Sequence, residues 1–175
     1  TLPNYALDPY KQRSVRFEGT DGDDLLRAPA RAELSLRTFT IELWFKRSSV
    51  TQAGEQILLS RRPEPDTDGD LAGDVISYEI GIDAAYQPFA RFSYNDGDGH
   101  KTVTSSVPVQ DAEEWHHIAV VYDPVDRGDM RLFVDGIQRA LAFTWLIPDL
   151  QMGDLMIGSN GHSGFAGKID EVRVW

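Results

Sequence analysis

Acidic residues clustered with glycine are the first groups in this chain that could do chemistry: Thr20-Asp21-Gly22-Asp23-Asp24, Asp66-Thr67-Asp68-Gly69-Asp70 and Asn95-Asp96-Gly97-Asp98-Gly99. Carboxylates at this density are hard oxygen donors of the kind calcium prefers. A mechanical explanation competes, because Asp-Gly also suits turns that need positive φ. The Asp66-x-Asp68-x-Asp70 spacing opens like an EF-hand loop, but Leu71 stands where that loop needs glycine and Ser77 where it needs a closing bidentate carboxylate. No EF-hand is expected there. His116 and His117 adjoin, and neighbours on a strand point to opposite faces, so they cannot chelate one ion together. The chain has no Gly-x-Ser-x-Gly elbow, phosphate loop or His-Glu-x-x-His motif. Its lack of cysteine excludes disulfides, thiolate metal sites and a cysteine nucleophile.

The elements that must position such groups are strands. Apolar residues alternate with polar ones between Gly, Pro, Asn and Asp punctuation, and no long segment keeps a helical apolar period. In Thr38 to Lys46, Phe39, Ile41, Leu43 and Phe45 share one face, while Thr40, Glu42, Trp44 and Lys46 share the other, so Trp44 points away from the core. Further strands are expected at 15–17, 56–60, 75–82, 89–94, 101–109, 115–122, 131–134, 155–157 and 168–175. Ile118 to Tyr122 is apolar on both parities and is expected to be central, with both faces covered. Asp135-Gly136 marks a hairpin turn, and Pro29 to Ser35 holds the only helical piece, about one turn. The least regular connections, 61–74 and 143–153, are long enough to carry function.

The 175 residues suit one domain, with 1–13 as a linker or edge segment. There are 28 acidic residues against 17 Lys and Arg, a formal net charge of -11, which argues against nucleic acid and anionic membrane surfaces as partners. No apolar run has membrane-spanning length and no signal peptide opens the chain. We therefore expect an excised domain of a larger multidomain protein, extracellular or on a cell surface. Without disulfides it fits a bacterial protein better than an animal one.

The order of segments resembles the laminin-G-like jelly-roll domains of the concanavalin A-like lectin and glucanase superfamily. The residues carrying the resemblance are Val15 to Asp21, Phe39 to Lys46, Trp115-His116-His117-Ile118-Ala119-Val120-Val121-Tyr122-Asp123, Arg131 to Gly136, Ile157-Gly158-Ser159 and Phe165 to Trp175. It implies an all-β, two-sheet antiparallel β-sandwich with the terminal strands adjacent. By the same resemblance a structural calcium ion is expected between the chain ends, held by Asp170 with Gly19, Glu18 and Asp21. Independently, Asp170 shares strand parity with Val172 and Val174, which would set a carboxylate in line with core residues and demand a partner: an arginine, backbone N–H or a cation.

The resemblance also implies a test for enzymatic activity, since related glucanases carry Glu-x-Asp-x-Glu on one strand. Here Glu79-Ile80-Gly81-Ile82-Asp83 has glycine in the middle and Ala85 two residues beyond. Glu79 and Asp83 would stand about 13 Å apart along a strand, too far for two acting carboxyls. A non-catalytic binding module is therefore expected, taking carbohydrate or a protein or peptide epitope, with a spacer domain as the alternative. His117 is expected to pack beside Trp115. Ligand contacts are expected on the concave sheet and end loops: Trp145 first, for its stacking face, then Tyr94, Asn95, Asp96, Asp98, Asn160 and His162, with Trp44 and Tyr86 ranked below.

Overall fold

The computed structural model describes residues 14–19, 23–49, 54–66, 70–112 and 114–175. Its strands are β1 (Val15–Glu18), β2 (Leu26–Ala28), β3 (Phe39–Arg47), β4 (Gln56–Arg62), β5 (Tyr78–Ile82), β6 (Pro88–Tyr94), β7 (Gly99–Thr104), β8 (His116–Asp123), β9 (Asp129–Val134), β10 (Ile137–Phe143), β11 (Asp154–Ile157) and β12 (Ala166–Val174). They form two antiparallel six-stranded sheets. Sheet A runs β1-β12-β3-β8-β9-β10 and sheet B runs β2-β11-β4-β5-β6-β7. A single 3₁₀ turn, Ala32–Leu34, fills the segment where helix was expected.

The core lies between the sheets and follows from period-two alternation. Phe39, Ile41, Leu43 and Phe45 on β3 meet Ile118, Val120 and Tyr122 on β8, and face Tyr78, Ile80 and Phe92 of sheet B. All of these are at most 3% exposed, so truncating any one, as in Leu43→Ala, should cost about 2–5 kcal/mol. β8 is central as expected, but Ala119 and Val121 on its outer side are only half covered. Asp135 and Gly136 both adopt positive φ (52° and 75°), as the β9–β10 hairpin turn requires.

Two strands escape the sequence pattern. β2 is three exposed residues with no alternation to read, and β10 is nowhere fully buried, so its polarity follows solvent more than a core.

A bulge in β12 corrects the reading of Asp170. Ile169 pairs with Phe45 and Asp170 with Trp44, but the register then slips, and Arg173 pairs with Glu42. Glu171, at φ 51°, is the extra residue. Parity therefore reverses within the strand: Ile169 is in the core, Val172 and Val174 pack against it from beyond the bulge, and Asp170 stands on the outer face beside Trp44.

The two outer faces differ. On sheet B, β4, β5 and β6 are buried on both sides. The chain after β4 folds back across that face: Arg62 reaches Asp66 and Asp74, and Ile76 exchanges hydrogen bonds with Ser93. Among the described residues, nothing crosses the outer face of sheet A as that segment crosses sheet B, and Trp44, Trp115 and Val15 are each about 40% exposed.

Candidate functional site

Beneath the covering of sheet B lies an ionic centre. Arg91 donates from Nε to Glu79 Oε1 at 2.7 Å and forks onto both oxygens of Glu55 at 2.9 and 2.7 Å. Arg62 stands 3.2 Å from Asp74 and 3.6 Å from both Asp66 and Glu79. Four carboxylates thus face two guanidinium groups. Burial pushes the Glu55 carboxyl above its usual range against the pull of Arg91, and raises Asp74 against Arg62. Glu79 is fully enclosed here, while Asp83 Oδ1 accepts the N–H groups of Ala85 and Gln87 in the β5–β6 turn. Both carboxylates of the glucanase-like pair are engaged in holding structure.

The loop residues expected to bind ligand do not converge. Asn160 is fully buried: it donates to Asp66 and its Oδ1 accepts the N–H groups of His162 and Ser163, so it shapes the loop and leaves only His162 exposed. Tyr94 packs against the core, and the turn of Asn95, Asp96 and Asp98 is organised by Asp149. That buried carboxylate accepts the N–H groups of Asp96 and Gly97 and the Ser93 hydroxyl. Trp145 is 64% exposed but lies against Gly128 at the β8–β9 turn, on a different support. Tyr86, the other lower-ranked candidate, stacks on Arg47 with the guanidinium 4.6 Å from its ring centre.

Of the expected calcium ligands, Glu18 and Asp170 are set apart by register, and Gly19 follows Glu18 further from Asp170. Val15 pairs with Ile169 and Glu18 with Ala166, so Asp170 aligns with the start of β1, and Glu18 lies four residues further along. At strand rise that separates them by about 13 Å, whereas ligands of one calcium lie within about 5 Å of each other. Glu18 is instead paired with Arg16 at 3.1 Å, and Asp170 Oδ1 accepts the Glu171 N–H at 2.8 Å. Asp21 falls outside the described residues. The terminal strands are adjacent as expected, but their register keeps these groups apart.

The open face of sheet A gathers a different set. Trp44, Trp115, Asp170 and Glu171 line a hollow of about 340 Å³. A second hollow of about 400 Å³ shares Trp115 and Asp170 with it and adds Ser14 and Lys168. A third, about 260 Å³, shares Lys168 and is walled by Arg16, Lys46 and Arg47. The three form one groove across β1, β12 and β3. His117 supports it by packing on Trp44, with ring centres 5.1 Å apart, where Trp115 was the expected partner. Arg173 ties down the acidic end through ion pairs to Glu42 and Glu171. Trp115, Glu171, Arg16 and Lys168 were not among the sequence candidates. Outward parity was the available signal, and it had singled out Trp44.

The sequence matches one family model over most of the chain. The sequence profile described as the concanavalin A-like lectin/glucanases superfamily (Laminin_G_3) fits residues 20–175. The chain belongs to this family. No curated protein sequence matches this Laminin_G_3 domain. Among solved structures it is similar to the CBM40 of the Ruminococcus gnavus IT-sialidase bound to α2,6-sialyllactose, at 18% identity and TM-score 0.69, covering 94% of this chain and 90% of that one. It is also similar to domain 4 of an extracellular arabinanase from Geobacillus stearothermophilus in complex with arabinotriose, at 15% identity and TM-score 0.62, covering 92% and 69%. A third likeness is to the binding domain of botulinum neurotoxin DC, at 11% identity and TM-score 0.68, covering 96% of this chain and 40% of that one. At these identities the likeness establishes a shared fold for the Laminin_G_3 domain.

Proposed function

We propose that this chain is a non-catalytic carbohydrate-binding module of an extracellular or cell-surface protein. The observation that carries the reading is the pairing of two exposed indoles, Trp44 and Trp115, with the carboxylates of Asp170 and Glu171 in one hollow. An indole face stacks on the apolar face of a sugar ring, and a carboxylate accepts from its hydroxyls. The hollow's volume lies in the range of ligand sites. The sugar complexes of the sialidase and arabinanase domains support the ligand class, because they place saccharides on the same architecture.

Hydrolysis has little support, since Glu79 is locked between Arg62 and Arg91 and Asp83 caps a turn. Neither is placed to protonate a leaving group or activate water. A glycan array probed with the chain, followed by a reducing-sugar assay on every hit, tests both halves. Retention of glycan with no released sugar is expected. Release of reducing ends would overturn the non-catalytic reading, and silence across the whole array would overturn the ligand class.

A further inference from the structure

A bulge turns two consecutive carboxylates into one hollow. In a regular strand Asp170 and Glu171 would point to opposite faces. Here Glu171 adopts φ 51°, the register of β12 on β3 slips between Asp170 and Arg173, and both side chains line the hollow with Trp44 and Trp115. Bulges re-aim side chains in this way. A non-glycine residue at positive φ is strained, and such strain persists where the surrounding structure holds a side chain in place.

The carboxylates at this end of the groove are unequally paired. Arg173 serves two of them: Nη1 donates to Glu42 Oε1 at 2.8 Å, and Nη2 donates to Glu171. Glu42 also stands 3.5 Å from Nε2 of His117, whose ring packs on Trp44. Asp170 is held differently. Its Oδ1 accepts the Glu171 N–H at 2.8 Å, and among the described residues no ion pair engages its carboxylate. Lys168 lines the neighbouring hollow beside Asp170 without an ion pair to it. Asp170, Glu171 and Glu42 thus stand with one guanidinium, in a chain whose net charge of -11 attracts cations at long range.

Two indoles beside such a carboxylate suit an ammonium group better than a hydroxyl. An indole face attracts a cation, and a hydrogen bond from ammonium to carboxylate has both partners charged. We propose that the groove takes an oligosaccharide with a free, protonated amino group, of the glucosamine type, seated on Asp170 between Trp44 and Trp115. The inference rests on the carbohydrate-binding reading above and adds the charge class of the ligand. The sugar ring stacks on Trp115, its ammonium donates to Asp170, and Glu171, held by Arg173, accepts from a neighbouring hydroxyl. Acetylating the amine removes the charge and with it both contributions.

The test is calorimetric titration of the whole chain with three probes of equal length: a glucosamine oligomer, its fully N-acetylated counterpart and a lysine oligomer. Mildly acidic pH keeps the amines protonated. The glucosamine oligomer should bind about tenfold or more tighter than the acetylated one, and the gap should shrink as NaCl rises from about 20 to about 300 mM. Asp170→Asn keeps an oxygen for the Glu171 N–H and should remove the difference between the two sugars. Asp126→Asn, the same charge change at the β8–β9 turn, should leave that difference as it was, and Trp115→Ala should weaken both sugars. Equal binding of the two sugars, or a preference that persists in Asp170→Asn, would overturn the amino-sugar inference. A lysine oligomer that binds as tightly as the glucosamine oligomer would overturn it in favour of a basic peptide. If neutral glycans on the array still bind and Trp115→Ala removes that binding, the carbohydrate reading survives the loss. Failure of every probe together with a silent glycan array would overturn both.

Discussion

Lys168 and Lys46 stand directly opposite each other on β12 and β3, two like charges facing outward on one sheet. Arg16, on the other side of Lys168, is ion-paired with Glu18 at 3.1 Å. Like charges opposite one another on adjacent strands disfavour the pairing. Lys168→Ala should therefore raise stability by about 0.2–1 kcal/mol. Thermal melts of the two proteins would show the gain. A variant that melts lower than the wild type would show that Lys168 is compensated by its neighbours.

The ionic centre under sheet B should respond much more strongly. Glu79 touches both Arg62 and Arg91. Glu79→Gln removes the carboxylate shared by the two guanidinium groups and leaves Arg91 to Glu55 and Arg62 to Asp66 and Asp74, at a cost of about 1.5–3 kcal/mol. Urea unfolding should show the loss as a lower midpoint with unchanged slope. A change below 1 kcal/mol would mean that Glu55, Asp66 and Asp74 already neutralise the arginines.

His116 gives the domain a pH-dependent clamp. Its Nδ1 lies 2.9 Å from Asp135 and its Nε2 2.9 Å from Asp111. Burial disfavours the imidazolium, but hydrogen bonds to Asp111 and Asp135 outweigh it, and the pKa is raised. A group raised in the folded state contributes fully below its unfolded pKa, about 6.5. That contribution is lost as pH climbs through the higher folded value. Thermal melts of the wild type should thus fall across neutral pH relative to His116→Gln, and parallel pH profiles for the two proteins would refute the clamp.

Chelation separates the observed register from the expected shared ion. Asp170 and Glu18 lie about 13 Å apart along β1 and β12, so Asp170→Ala should leave any melting shift produced by a chelator unchanged. The measurement is the wild-type and variant melting temperature with calcium and with EDTA. A shift present in the wild type and abolished in Asp170→Ala would restore a calcium site at that residue.

Much of the sandwich is written locally. Alternation in Phe39 to Lys46 fixes which face of β3 is core, and Asp135-Gly136 fixes a hairpin, because side-chain parity and turn conformation depend only on neighbouring residues. The same parity placed Trp44 outside, where the structure has it 41% exposed. Sequence also determined that the glucanase carboxylate pattern is broken at Gly81.

What lies far apart in sequence was decided by tertiary structure. The bulge at Glu171 reverses parity within β12 and moves Asp170 from the expected core side to the open face. A loop rich in turn formers became a buried scaffold at Asn160 because Asp66 packs against it. Register brings Arg16, Lys168 and Lys46 into one row and keeps Glu18 away from Asp170. Each outcome depends on which hydrogen bonds pair distant strands. A slip of one residue would turn every side chain of a strand to the opposite face, so no local pattern could have announced the groove.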